Sequence, residues 1–186
     1  MELNVVSITE NFNRLDEVIS LAKEAFPPEE YLSPHTLIQI SKKREIDFWA
    51  LYDDEIFAGF MAVRTYKEMS YLFFLAISPP LRSYGYGGKA IRALKELYPD
   101  MQQVVDLEML DPAASNYEQR KSRRSFYLRN GYRETGQFLS YLGVEYEVLC
   151  MDEHFHFNTF KELMDTLPLE GFCPRYFSKQ HLNFNN

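Results

Sequence analysis

The sequence predicts a mixed α/β domain, and three observations carry that prediction. Short β-type runs alternate with amphipathic stretches of helical period over residues 1–151. An antiparallel hairpin precedes a glycine loop that opens a helix. The strand after that helix can be reached only by a helical crossover, which makes the fifth strand parallel to the fourth. With 186 residues the chain suits one domain with a substantial core. We expect that domain over 1–151, with 152–186 as a C-terminal appendage packed on it.

In order, Met1 to Thr9 alternates enough, through Leu3, Val5 and Ile8, to open as a strand. Asn11 or Asn13 then caps a helix with Leu15, Val18, Ile19, Ala22 and Phe26 on one face, stopped by Pro27-Pro28. Glu29, Glu30 and Tyr31 fall in the loop after it. Ser33-Pro34 opens a second helix, as a cap with proline at the first helical position. Asp47–Tyr52 and Ile56–Tyr66 flank the turn Asp53-Asp54-Glu55 as a hairpin, and Glu68-Met69 turns the chain into a fourth strand, Tyr71–Ile77. A helix with Ala90, Ile91, Leu94 and Leu97 on one face leads to the fifth strand, Val104–Met109. A strongly basic helix, about Tyr117 to Asn130, stops at Asn130-Gly131, a natural left-handed cap. Tyr132–Tyr141 and Val144–Met151 form a last hairpin. The remainder holds a short helix near Thr159–Thr166, then Pro168, Gly171 and Pro174, and reads as an appendage that frays.

Bulk properties narrow the partners. The formal net charge is -7 and no long Lys/Arg run exists, so nucleic acid is an unsuitable partner and a cationic small substrate a better one. No signal-peptide layout and no membrane-length apolar run is present, so a cytoplasmic protein without membrane attachment is expected. Cys150 and Cys173 are too few for a disulfide framework or a zinc ribbon. His154 and His156 have no third ligand at motif spacing, so no metal is expected. A homodimer, the commonest assembly, is conceivable through the last strands.

The most informative stretch is Tyr71 to Leu97. Gly85, Gly87 and Gly88 let backbone amides approach a ligand where a helix begins, which is an anion site in outline. Gly85, Gly87 and Ala90 also satisfy the dinucleotide fingerprint G-x-G-x-x-G/A, with Asp106 at about the 20-residue offset of a ribose contact. Seven residues, Ser78 to Tyr84, separate the strand from Gly85, however, and only one crossover comes after it, so a nicotinamide or flavin site fits poorly.

A second reading uses more of the residues. Arg82-Ser83-Tyr84-Gly85-Tyr86-Gly87 meets the pattern Q/R-x-x-G-x-G/A after a strand and a proline-containing link, and Phe126-Tyr127-Leu128-Arg129-Asn130-Gly131-Tyr132 matches F/L-Y-x-x-x-G-F/Y. With the element order of residues 1–151, these segments resemble the GNAT superfamily of N-acetyltransferases. The resemblance implies a mixed, mostly antiparallel sheet of six to seven strands, helices on both faces, and a splayed parallel pair of fourth and fifth strands. It implies acetyl-CoA as co-substrate, with pyrophosphate on the amides of Arg82, Ser83, Tyr84, Gly85, Tyr86, Gly87 and Gly88. Pantetheine would lie along Leu75, Ala76 and Ile77, one of whose amides would stabilise the oxyanion. Tyr127 would be the general acid for the leaving thiolate.

For the base, Asp106 and Glu108 alternate onto one face of the fifth strand. Glu108 is the choice, being nearer the strand's C-terminal end. The chain departs from the family where Asn commonly stands seven residues before the Tyr and a small residue four before it, since Arg120 and Arg123 occupy those places. Arg123 is then a candidate for the CoA phosphates. Acetyl transfer to a primary amine of a small molecule or peptide N-terminus is the expected activity. A non-catalytic acyl-CoA sensor or interaction module of the same fold is the alternative.

Overall fold

The computed structural model describes residues 2–26, 31–43, 46–167, 169 and 172–178. Contacts divide the chain into two units, Met1–Thr65 with Ser70–Met101, and Tyr66–Met69 with Gln102–Asn186. The loop prolines and acids at 27–30, and Pro168 and Gly171, lie outside the described residues.

The first unit contains β1 (Asn4–Ser7), α1 (Leu15–Ala25), α2 (Pro34–Lys42), β2 (Asp47–Asp53), β3 (Ile56–Tyr66), β4 (Met69–Ile77), a 3-10 turn at Pro79–Leu81 and α3 (Tyr86–Leu97). Its strands run in the order β1-β2-β3-β4, with β2 antiparallel to both β1 and β3. Aromatic and aliphatic side chains fill the layer between sheet and helices: Phe48 meets Phe60 edge-on at 5.6 Å, and Val18, Leu37 and Leu94 are fully buried. Ser33 caps α2 as expected, its hydroxyl accepting from the Thr36 amide at 3.1 Å. The asparagine cap expected for α1 is not used. Residues 9–12 form a turn closed by Phe12 N–H to the Thr9 carbonyl (3.1 Å), so the helix starts later, with Arg14 at the cap position. Asp16 and Glu17 in its first turn complement the helix dipole.

One irregularity draws β3 and β4 together. Between β2 and β3 the register moves from Leu51 opposite Gly59 to Tyr52 opposite Phe57, so Ala58 is an extra residue, a β-bulge. Gly59 beside it has φ +152, and a Cβ there would lie 2.0 Å from the Ala76 carbonyl oxygen of β4. Only glycine lets the two backbones come this close. The bulged segment also holds the end of β4. Ser78 donates its amide to the Ala58 carbonyl (2.9 Å) and its hydroxyl to the Phe57 carbonyl (3.0 Å).

The second unit contains β5 (Gln102–Glu108), α4 (Tyr117–Arg129), β6 (Arg133–Tyr141), β7 (Val144–Cys150), α5 (Phe157–Asp165) and β8 (Arg175–Ser178). Its strand order is β5-β7-β6-β8, every pair antiparallel. Among the described residues, the four strands here and four in the first unit exceed the six or seven expected. The extra one, β8, is four residues long, too short to show an alternation, and lies in the segment read as a fraying appendage. Buried Gln102 accepts from the His156 amide (2.9 Å) and donates to the His154 carbonyl (2.7 Å), fixing the chain between β7 and α5. The class is therefore the mixed α/β one that the element pattern predicts. No helix among the described residues is long and apolar enough to cross a membrane, and no group of three or more His, Cys, Asp or Glu there could hold a metal ion.

Candidate active site

The candidate residues fall into two groups, one in each unit, and each group is held by its own contacts. In the first unit, β4 sets the direction of its backbone groups. In a strand, the amide and carbonyl of one residue point to the same neighbour and alternate along the chain. Ala76 and Ser78 address β3, so the backbone groups of Leu75 and Ile77 lie on the opposite edge of β4. The Ile77 carbonyl there accepts from Arg82 Nε at 2.9 Å. Of the three sequence candidates on β4, Leu75 and Ile77 thus differ from Ala76 in where their amides point.

The link then turns. The amides of Leu81 and Arg82 close on the carbonyls of Ser78 and Pro79 (2.9 and 3.2 Å). Ser83 and Gly85 are both left-handed, at φ 66 and φ 83. Gly85 is the residue before α3, and nothing lies within 4 Å of where its Cβ would be. The first helical bond is Lys89 N–H to the Gly85 carbonyl (3.1 Å), so the amides of Tyr86, Gly87 and Gly88 belong to the turn that has no intrahelical acceptor. An open left-handed glycine followed by three first-turn amides forms a cradle that fits a phosphate group.

Side chains of the loop face elsewhere. Tyr86 Oη donates to Asp53 Oδ2 at 2.6 Å, and Lys89 Nζ reaches the same oxygen at 2.9 Å. Both bonds hold the Asp53 carboxyl below its usual range. Tyr84 is 76% exposed, and Arg82 pairs in solvent with Glu24 at 2.9 Å. The loop offers its backbone, while Tyr86 and Lys89 serve as anchors.

In the second unit, Tyr127 is set by the way α4 ends. Gly131 is left-handed at φ 96, and its amide donates to the Leu128 carbonyl (3.2 Å) while the Tyr132 amide donates to the Tyr127 carbonyl (3.2 Å). These are the two bonds of a Schellman stop, and the apolar contact that accompanies such a stop is the ring pair Tyr127–Tyr132, edge-on at 5.2 Å. The segment Tyr127 to Tyr132 therefore has a local physical meaning: glycine ends the helix, and the two tyrosines clamp the end. Tyr127 is buried, 6% exposed, and burial raises its phenol well above the usual value. The Asp106 charge adds to this and Arg123 opposes it. A phenol so placed keeps its proton throughout the neutral range.

Glu108 stands apart from a free carboxylate. Arg120 and Arg123 pair with it at 2.9 and 3.0 Å, and Asn116 Nδ2 donates to its two oxygens at 3.2 and 3.3 Å. Arg120 also donates to Asn116 Oδ1 (2.7 Å) and the Met109 carbonyl (2.8 Å), so its guanidinium is used within the unit. Arg123 makes the more exposed pair, its side chain 38% accessible against 16% for Arg120. The structure thus brings Tyr127, Asp106, Glu108 and Arg123 into one electrostatic group. Asn116, Asp53 and Gly59 were not singled out from the sequence. Gly59 sits at a bulge inside an apolar run, and only Gly within a strand pattern could have flagged it.

The fold is that of an acetyltransferase. A family model described as the acetyltransferase (GNAT) family matches residues 15–132, and the chain belongs to that family. Among solved structures, it is similar to a protein from Bacteroides thetaiotaomicron assigned to the GNAT family, with 21% identity, 86% of this chain and 93% of the other covered, and a TM-score of 0.67. An aminoglycoside 6'-N-acetyltransferase complexed with coenzyme A superposes at TM-score 0.59, with 16% identity over 79% of this chain and 95% of that one. A GNAT family acetyltransferase from Elizabethkingia anophelis with acetyl-CoA bound gives 0.56, with 11% identity over 81% and 98%. At these identities the likeness is one of fold. No curated protein matches the sequence.

Proposed function

We propose that the protein transfers an acetyl group from acetyl-CoA to a primary amine, on a small molecule or a peptide N-terminus, by direct attack of the amine on the thioester. The observation that carries this reading is the cradle at Gly85 to Gly88, an open left-handed glycine and three first-turn amides suited to a pyrophosphate. Family membership and the CoA-bound structures of similar fold support the choice of ligand. Pantetheine would pair along the edge of β4 that bears the Leu75 and Ile77 groups. The Leu75 amide is the oxyanion donor we favour, because the Ala76 amide addresses β3. Tyr127, protonated at neutral pH, is the general acid for the departing thiolate.

Glu108 acts as base only in an arrangement that frees one of its oxygens, and Arg123, the more exposed partner, is the one able to leave. Leaving for a CoA phosphate would join the two roles that the sequence suggests for these residues. As held, Glu108 orients Arg120 and Arg123. The test is thiol release from acetyl-CoA over a panel of primary amines, with cofactor affinity measured in parallel. Acetyl-CoA binding without thiol release for any amine would replace the enzyme with an acyl-CoA sensor, and stabilisation by NAD alone would refute both.

A further inference from the structure

The helix that supplies the cradle amides is tied to one strand at both of its ends. At its start, Tyr86 Oη and Lys89 Nζ close on Asp53 Oδ2, at 2.6 and 2.9 Å, and the ammonium lies 4.3 Å from the centroid of the Tyr86 ring. Just past its end, Tyr98 Oη donates to Asp47 Oδ2 at 2.7 Å and accepts from Trp49 Nε1 at 3.0 Å. Asp47, Trp49 and Asp53 all belong to β2 and stand an even number of residues apart, so their side chains leave the same face of the strand. The two lengths agree. From Asp47 to Asp53 the strand advances about 20 Å, and from Tyr86 to Tyr98 the helix advances about 18 Å. Helix α3 therefore runs antiparallel along β2 and meets a carboxylate at each end.

Asp53 is itself rigidly placed. It pairs with Ile56 across a two-residue turn in which Asp54 is left-handed at φ 53, so the sheet fixes its backbone. Its side chain is 13% accessible, which leaves water little room to compete for the two bonds, and those bonds hold the carboxyl below its usual range, so it is ionised at neutral pH. With Tyr98 held at the far end, loss of this clasp would free the first turn to swing about that anchor. Hydrogen bonds weaken steeply as their angle opens, so a small swing is costly for amides that must converge on one group. We propose that Asp53 is the positioning residue of the phosphate cradle: through Tyr86 and Lys89 it aims the amides of Tyr86, Gly87 and Gly88 at the pyrophosphate of CoA. This rests on the reading of that cradle as the CoA site. The same arrangement makes β2, a strand with no part in acetyl transfer, the ruler against which the cofactor site is set.

Calorimetry on the full-length protein compares CoA with pantetheine, which lacks the pyrophosphate and the nucleotide, so the result does not depend on turnover. A Lys89 ammonium set free would attract phosphate by itself, and the variant is therefore Asp53→Ala combined with Lys89→Met. It is expected to bind CoA at least about tenfold more weakly than wild type and pantetheine to within about twofold of it. A folded variant that loses both ligands equally, or that keeps its CoA affinity, overturns the proposal, because general loosening of the fold would not single out the phosphate end. Should the double variant fail to fold, Tyr86→Phe keeps the ring and the pair of Asp53 with Lys89 and removes one bond of the clasp. A loss of about threefold or more confined to CoA supports the proposal, and unchanged CoA affinity overturns it. A wild type that binds CoA no tighter than pantetheine would sink the cradle reading and this inference with it, whereas a variant that retains the wild-type preference removes Asp53 alone.

Discussion

Gly59 and Gly85 both have positive φ, and replacing each by alanine separates two costs that usually arrive together. At Gly85 the new Cβ meets nothing within 4 Å, so only the left-handed conformation at φ +83 is penalised, by about 1–2 kcal/mol. At Gly59 the Cβ would stand 2.0 Å from the Ala76 carbonyl oxygen, a backbone atom, and must be pushed at least 1 Å away to reach the closest separation that real side chains show. Overpacking of that kind costs about 1–3 kcal/mol, on top of the conformational term, so about 2–5 kcal/mol is expected in all. For a chain of this length each kcal/mol lowers Tm by about 2–4 °C, which places Gly59→Ala about 4–20 °C below wild type and Gly85→Ala about 2–8 °C below it. Thermal unfolding followed by circular dichroism, checked against urea midpoints, reads both. The order should reverse for function: Gly85→Ala tilts the amides of the cradle and should weaken acetyl-CoA, although it is the milder change in stability. Equal losses of stability, or a Gly59→Ala protein within 1 kcal/mol of wild type, would refute the close approach of β3 and β4 as the reason for the glycine.

Tyr127→Phe should keep fold and acetyl-CoA affinity and lower thiol release by about a hundredfold, since it removes the proposed acid and leaves the ring that packs on Tyr132; an unchanged rate removes Tyr127 from the chemistry. Because the folded Tyr127 phenol titrates above the unfolded value of about 10, its contribution to stability is complete below that pH. It then declines by up to about 1.4 kcal/mol per pH unit above it, and urea midpoints at high pH should fall less steeply in Tyr127→Phe. Glu108→Gln should cost about 3 kcal/mol by leaving Arg120 and Arg123 without their shared carboxylate, while Arg123→Met, at the more exposed pair, should cost about 1 kcal/mol or less; comparable values in urea melts would count against the cluster as described. A thiol reagent at neutral pH should modify Cys173, which is exposed, and spare Cys150, whose thiol burial pushes up to about 11; two equally fast thiols in the native protein would contradict that burial.

Elements with a local signature were legible in the sequence. Ser33-Pro34 named the start of α2 because a hydroxyl cap and a first-turn proline need no tertiary partner, and Asn130-Gly131 named the end of α4 for the same reason. Gly85 and the helix after it came from spacing alone. What was not legible depends on residues far apart in the chain. The donors that surround Glu108 come from Asn116, Arg120 and Arg123, 8, 12 and 15 positions on, and a strand pattern says nothing of which helix face will meet it. The bulge at Ala58 has no marker beyond the glycine after it, because β3 is buried almost throughout and its alternation is hidden. β8 escaped because four residues carry no period.

The clasp on Asp53 bears on how cofactor affinity would respond to salt. Lys89, the cation at the start of α3, is paired with a carboxylate at 2.9 Å, with side-chain accessibilities of 20% and 13%, so its charge is largely cancelled inside the protein. Arg82 also donates to the Ile77 carbonyl, but its ion pair with Glu24 is far more exposed, at 46% and 50%, and cancels less of its charge. What the loop presents to an anion is then mostly oriented peptide dipoles, whose field acts within a turn of the helix and attracts no counterion atmosphere of its own. On the proposed reading, capture of a pyrophosphate by such a surface depends on how well the amides are aimed, and raising ionic strength should weaken it little.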